Sequence, residues 1–158
     1  MPNFSIQIAA PPEPIFDEIS HVERHPSWAN PKANMEMEQT AGDGPGPSSH
    51  YVSHAIFVGK PVSADIEITK YQPSTVFSLK ATQHQAGKKD SWIEHTFTLT
   101  PDAGGTKVTK HMTGQVSFGA AVIGALAYPA IKKDAMTSLT NLKNKMESKA
   151  SSGTEATT

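Results

Sequence analysis

His95 is the side chain best placed to do chemistry in this chain. It lies in the run Ser91–Thr100, SWIEHTFTLT, and shares parity with Phe97 and Leu99, so it points where they point. A buried neutral imidazole can orient a ligand carbonyl or act as a general base near neutral pH. Histidine's ordinary place is nonetheless at a pocket mouth or hydrogen-bonded within a core. Glu94 alternates to the opposite face and is no partner for it. The run 50–58 offers a second set. Tyr51, Ser53, Ala55 and Phe57 lie on one side, and His50, Val52, His54, Ile56 and Val58 on the other. Tyr51 and Phe57 are expected to face inward, where Tyr51 and Ser53 would present hydroxyls to a ligand.

Other chemistries are excluded by residue type or spacing. His21 and His25 have the i, i+4 spacing that binds zinc on a helix, but Pro26 is expected to turn His25 away. His50 and His54 share a strand face roughly 13 Å apart, too far to chelate one ion. No metal and no cofactor is expected. The loop Gly42-Asp43-Gly44-Pro45-Gly46-Pro47 lacks a phosphate-loop lysine, and its prolines remove N–H donors. There is no cysteine, no G-x-S-x-G, and no serine with an evident His and Asp partner. Asp65 with Glu67, and Glu36 with Glu38, belong to faces expected to be solvated.

These side chains need strands to hold them. Phe4, Ile6 and Ile8 alternate with polar neighbours, so 3–9 reads as a half-buried strand. The segment APPEPIFDEISHVERHPSWANP reads as two short helices broken at His25-Pro26. Pro14 sits in the first turn, Ile15, Phe16, Ile19 and Val22 form an apolar stripe, and the second helix holds Trp28. Further strands follow at 35–40, 50–58, 62–71, 75–83, 91–100 and 106–118, separated by turn signals such as Gly59–Pro61 and PDAGGT. Strands at about ten-residue spacing imply an antiparallel meander.

The chain closes on an amphipathic helix expected over 119–148, with its clearest periodicity after Pro129. Ile131, Ala135, Leu139, Leu142 and Met146 fall on one side, and Lys132, Lys133, Asp134, Lys143, Asn144 and Lys145 mostly on the other. Residues 149–158 are small and polar and read as a disordered tail. Residues 1–148 thus form a single domain. Such a helix needs a curved apolar sheet, and space left between them would be a pocket. Parity sends Ile66, Ile68, Phe77, Leu79, Phe97, Leu99, Val108 and Met112 to one face, and the helix adds Met136, Leu139 and Leu142. Trp28 would pack the short helices onto the sheet or close the entrance.

With 158 residues the chain suffices for one domain with a sizeable core. Its formal net charge of −1 recruits neither nucleic acid nor anionic membrane. The N-terminus lacks a basic n-region, and the apolar run AAVIGALAYPAI is too short to span a bilayer. The cysteine-free composition fits a cytoplasmic protein.

Several ordered motifs carry a family likeness. They are Ile8-Ala9-Ala10-Pro11 before Ile15-Phe16-Asp17, His25-Pro26-Ser27-Trp28, Ile66-Glu67-Ile68 ahead of Gln72-Pro73, Phe97-Thr98-Leu99-Thr100-Pro101, Gly104-Gly105-Thr106-Lys107-Val108-Thr109 and Leu139-Thr140-Asn141-Leu142-Lys143. In this order, over about residues 3–148, the chain resembles the START and birch-pollen-allergen (SRPBCC) superfamily and its polyketide cyclase/dehydrase-like members. The resemblance implies an α+β helix-grip fold, β-α-α-β6-α, with a seven-stranded antiparallel sheet curved around the last helix and a cavity between them.

The expected function is binding of a lipid, isoprenoid or polyketide-like molecule by a monomer or homodimer. Trp28, Tyr51, Phe57, Ile66, Phe77, Leu79, His95, Phe97, Met112, Met136 and Leu139 are the candidate contacts. A cyclase or dehydratase using His95 and Tyr51 is one alternative. Enzymes of that kind often place an arginine in the pocket, whereas the single arginine here, Arg24, lies on the short helices. A co-chaperone-like interaction module is another, and it would need an exposed apolar patch.

Overall fold

The computed structural model of the protein describes residues 3–57, 59–84, 87, 89–115 and 128–155. Seven strands form one antiparallel sheet: β1 (Asn3–Ile8), β2 (Glu36–Ala41), β3 (His50–Phe57), β4 (Lys60–Gln72), β5 (Val76–Gln83), β6 (Ser91–Asp102) and β7 (Gly105–Gln115). Their spatial order is β1-β7-β6-β5-β4-β3-β2, so six consecutive strands make a meander and β1 closes against β7. Helix α1 (Pro12–Ser20) and two 3-10 turns (Val22–Ser27 and Pro31–Ala33) bridge β1 to β2, and helix α2 (Tyr128–Glu155) ends the described chain. The curved sheet grips α2, which is the helix-grip fold.

Period-two alternation puts Ala64, Ile66 and Ile68 of β4, Phe77 and Leu79 of β5, Phe97 and Leu99 of β6 and Val108 of β7 on the inner face. α2 answers with Ala135, Leu139, Leu142 and Met146, all buried. Each such leucine contributes about 1.5–3 kcal/mol by leaving water. Register shifts at Gln39/Ala41 and Ile68/Lys70 bend the sheet locally. Gly105, at the start of β7, packs tightly against the end of β1. A Cβ there would stand 2.0 Å from the Ile8 carbonyl oxygen.

Polar contacts lock α2 in place. Lys143 Nζ donates to Gln7 O (2.9 Å), and Ala9 N–H donates to Glu147 Oε1 (3.0 Å). On the α1 side the Glu18 carboxylate, 1 % exposed, takes Lys145 at 2.5 Å, Lys149 at 3.5 Å and Arg24 at 3.6 Å. Burial alone would raise that carboxyl, but the hydrogen bond and charge of Lys145, with Lys149, hold it below its ordinary value.

Four expectations need correction. The break between α1 and the next helical segment falls at His21 (φ −82, ψ 84), and Pro26 is accommodated inside the 3-10 turn. Pro61 lies within β4, opposite Ile56, rather than in the turn before it. α2 continues to Glu155 rather than ending at 148, and Lys149 on the added stretch is tied to Glu18. Asp134 is turned toward the interior cavity, not to the solvent side with Lys132 and Lys133. The expected stretch of helix at 119–127, the end of the last strand at 116–118 and the Phe57 side chain lie outside the described residues.

Candidate functional site

A cavity of about 160 Å³ lies between the sheet and α2. An engineered cavity of about 150 Å³ is known to hold benzene. Its sheet wall is Ser53, Ile66, Leu79, Ala81, His95, Phe97 and Lys110, and α2 contributes Asp134 and Ser138. The remaining wall, from His25 and Trp28 through Ala29, Asn30, Ala33, Met35 and Met37, comes from the turns before and into β2. That rim is tied to the helix, since Asn30 N–H donates to Ser138 Oγ at 3.2 Å and Asn141 Nδ2 to Ala29 O at 3.4 Å.

The 3-10 turn explains how His25 and Trp28 reach the interior. At three residues per turn, Val22, His25 and Trp28 stack on one side, and all three are buried. His25 Nε2 lies 2.6 Å from Ile19 O. A carbonyl oxygen only accepts, so Nε2 carries the proton and Nδ1 keeps its lone pair. Burial pushes the His25 pKa down to about 4, so the ring is neutral at physiological pH.

Phe97 is the hub of the site. Trp28 meets it edge-on with ring centroids 6.3 Å apart, and His25 lies at 6.5 Å. The rings of His25 and Trp28 are 4.6 Å apart. On its other flank the Lys110 ammonium stands 5.6 Å from the Phe97 ring centre, close enough for a cation–π contact. Pairing of β6 with β7 sets this up, because Phe97 is opposite Lys110 and His95 opposite Met112. His95 lines the cavity, with Nδ1 fully buried and without a hydrogen-bond partner. Burial, then the charge of Lys110, holds its pKa well below the ordinary histidine value. Trp28 Nε1 is likewise buried without a partner.

Of the expected contact residues, Trp28, Ile66, Leu79, His95 and Phe97 come together around the cavity. Phe77 and Leu139 are in the solid core, and Phe77 stacks edge-on with Phe16 and Tyr71 at 6.3 Å. Met112 and Met136 are half-buried against that core. Tyr51 is buried but lines a separate, more open depression with Thr40, His50, Asp65, Glu67, Thr82 and His84. Burial raises its phenol pKa, and the nearby Ser49 hydroxyl donates to Gly44 O at 2.6 Å. Asp65 and Glu67 are solvated and paired with His84 (2.8 Å) and Lys80 (3.9 Å). Arg24 pairs with Asp17 and Glu18 outside the cavity.

Sequence reasoning passed over Lys110, His25, Asp134 and Ser138. Two of them had a signal. Lys110 has the parity of Val108 and Met112, and His25 has the three-residue spacing from Val22 to Trp28. Among the described residues, no group of three or more His, Cys, Asp or Glu is placed to hold a metal.

A family profile described as "Polyketide cyclase / dehydrase and lipid transport" matches residues 3–147. The chain belongs to that family. No curated protein matches the chain. Among solved structures it is similar to TTHA0849 from Thermus thermophilus (TM-score 0.71, 17 % identity, 91 % of this chain and 94 % of that one). It is also similar to the di-domain ARO/CYC StfQ from the steffimycin biosynthetic pathway (TM-score 0.73, 11 % identity, 94 % of this chain and 51 % of that one). Ara h 8.0201 aligns with a TM-score of 0.63 at 15 % identity, over 92 % of this chain and 96 % of its own. At such identities the likeness establishes the fold, and the family permits ligand carriage or cyclase chemistry. No helix among the described residues is long and apolar enough to cross a membrane.

Proposed function

We propose that this protein binds a small hydrophobic molecule in the cavity between its sheet and α2. The observation that carries the reading is a largely apolar-walled space whose buried Trp28 Nε1–H and His95 Nδ1 have no partner among the described residues. Buried polar groups are nearly always hydrogen-bonded, so orphans lining a cavity are places for a ligand's polar atoms. Phe97, Trp28, Ile66 and Leu79 would hold the apolar body, and His95 would orient it. Phe77, Met112, Met136 and Leu139 would back that wall from the surrounding core. The ligand belongs to the lipid, isoprenoid or polyketide-like range, at a size near one or two rings. A cytoplasmic monomer or homodimer fits the cysteine-free, nearly neutral composition.

The test is calorimetric titration with neutral 2-naphthamide, comparing the protein with Ala81→Phe, which fills the cavity from β5. Saturable one-to-one binding that the substitution removes is the expected result. Absent binding, or binding that Ala81→Phe leaves unchanged, would sink the reading.

Acid–base cyclase chemistry is the second reading, favoured by the neutral, unpartnered His95 in the cavity wall. His95→Gln would then abolish turnover of a poly-β-ketone substrate while 2-naphthamide still bound. A docking module is disfavoured, since Ile56 and Tyr128 are the exposed large hydrophobics among the described residues and they form no continuous patch in sequence or on one strand.

A further inference from the structure

Lys110 stands where the sheet's inner face calls for an apolar residue. It alternates with buried Val108 and half-buried Met112, lies opposite Phe97, and is itself 9 % exposed. Among the described residues its ammonium makes no hydrogen bond and no ion pair, and its contact is the Phe97 ring. Asp134, across the cavity on α2, acts on it only through its charge. A buried ammonium without a hydrogen-bonded partner is costly. Proteins keep such local violations at functional sites.

The rest of the polar wall has the same bias. Trp28 Nε1 offers one N–H donor and Lys110 three, and no described residue hydrogen-bonds either. His95 is neutral and offers one donor and one acceptor. His25 has its proton committed to Ile19 O, and its ring faces Trp28 and Phe97. Burial and the Lys110 charge keep both imidazoles uncharged, so among the described residues Lys110 is the one cationic side chain in the cavity wall. Asp134 offsets part of that charge without engaging its donors.

We propose that the cavity's ligand is an organic anion, an apolar body of one or two rings bearing a carboxylate that sits against Lys110 and the Trp28 N–H. The inference rests on the ligand-binding reading above and adds the chemical class. Phe97 and Trp28 hold the body, and the ammonium lies at the edge of the same aromatic cluster. Charge and ring recognition therefore act on one small molecule. The arrangement selects acids over the corresponding amides and esters, because a neutral head leaves the ammonium unpaired.

The experiment uses a matched pair, 2-naphthoate and 2-naphthamide, titrated calorimetrically at pH 7 into the full chain, Lys110→Met and Lys110→Arg. Charge-assisted hydrogen bonds predict that the acid binds about tenfold or more tighter than the amide. In Lys110→Met that preference collapses toward one, and Lys110→Arg restores part of it. Equal affinities in the unsubstituted protein overturn the inference even if Lys110→Met fails to fold. So does a preference that survives in Lys110→Met. Amide binding without acid preference defeats the carboxylate assignment alone. Failure of both probes to bind defeats the cavity reading as well.

Discussion

Lys110→Met should make this protein more stable, and the size of the gain follows from where the lysine sits. The ammonium is held at 9 % exposure with no hydrogen bond or ion pair among the described residues. Its effective desolvation cost is several kcal/mol. The cation–π contact at 5.6 Å over Phe97 returns about 2 kcal/mol. Asp134 adds attraction through the cavity but makes no ion pair. Methionine keeps the length and apolar stem of the side chain and removes the charge. The net expectation is a gain of about 1–3 kcal/mol, within the range seen when buried charges are replaced by apolar residues. For a domain of this size that is roughly 3–10 °C in Tm. The pH dependence carries a second signature. Burial lowers the Lys110 pKa, so the folded protein gives up that proton before the unfolded chain does. The unfolded state then binds more protons, and stability attributable to this site rises as pH climbs from the lowered value toward about 10.5. Differential scanning calorimetry and urea melts of both proteins at pH 7 and pH 9.5 measure this. The gap between them should narrow at the higher pH. A Lys110→Met protein that is less stable at pH 7, or a gap that widens with pH, would refute the reasoning.

Two further outcomes follow from other buried titratable groups. His25 and His95 are neutral in the folded state and protonate near pH 6.5 once unfolded, so stability present above pH 6.5 declines as pH falls below it. For His25 the decline runs to about pH 4 at about 1.4 kcal/mol per pH unit, and denaturant melts between pH 7.5 and 4.5 should show it. Heteronuclear NMR should find His25 as the Nε2–H tautomer across that range, and a ring titrating near 6.5 would contradict its burial. Glu18→Gln removes the carboxylate that joins α1 to Lys145 and Lys149 of α2. Because both lysines can turn toward water, the expected loss is modest, about 1–2 kcal/mol. It should come with faster amide exchange in the last turns of α2, and unchanged exchange there would contradict the tether.

The fold was largely legible because alternation carries so much of it. Ile66, Ile68, Phe77, Leu79, Phe97, Leu99 and Val108 all face inward as their spacing requires, and the stripe Ala135, Leu139, Leu142, Met146 meets them. What escaped depended on contacts that local patterns do not encode. Lys149 reads as tail until Glu18 is found beside it, 131 residues away in sequence. The break at His21 goes with its backbone N–H and ring nitrogen both turning back to Asp17 O, a local contact that the residue before Pro26 does not make. The site was legible on its apolar side and obscure on its polar one. Trp28, Ile66, Leu79 and Phe97 could be read from type and parity. Lys110 shared that parity, but a lysine among apolar positions looks like an exception until its 9 % exposure makes it a feature. Asp134 sits between two outward lysines and Ala135 on α2, and only the closeness of helix to sheet shows which way it turns.

Occupancy of one cavity underlies every functional statement made for this protein, and native mass spectrometry of protein isolated from its own cells tests it directly. The expected spectrum shows an adduct of a small organic acid with one or two rings, lost in Ala81→Phe when the circular dichroism spectrum shows the fold retained. A bare protein mass from gentle isolation, together with no binding of either naphthalene probe, would contradict it.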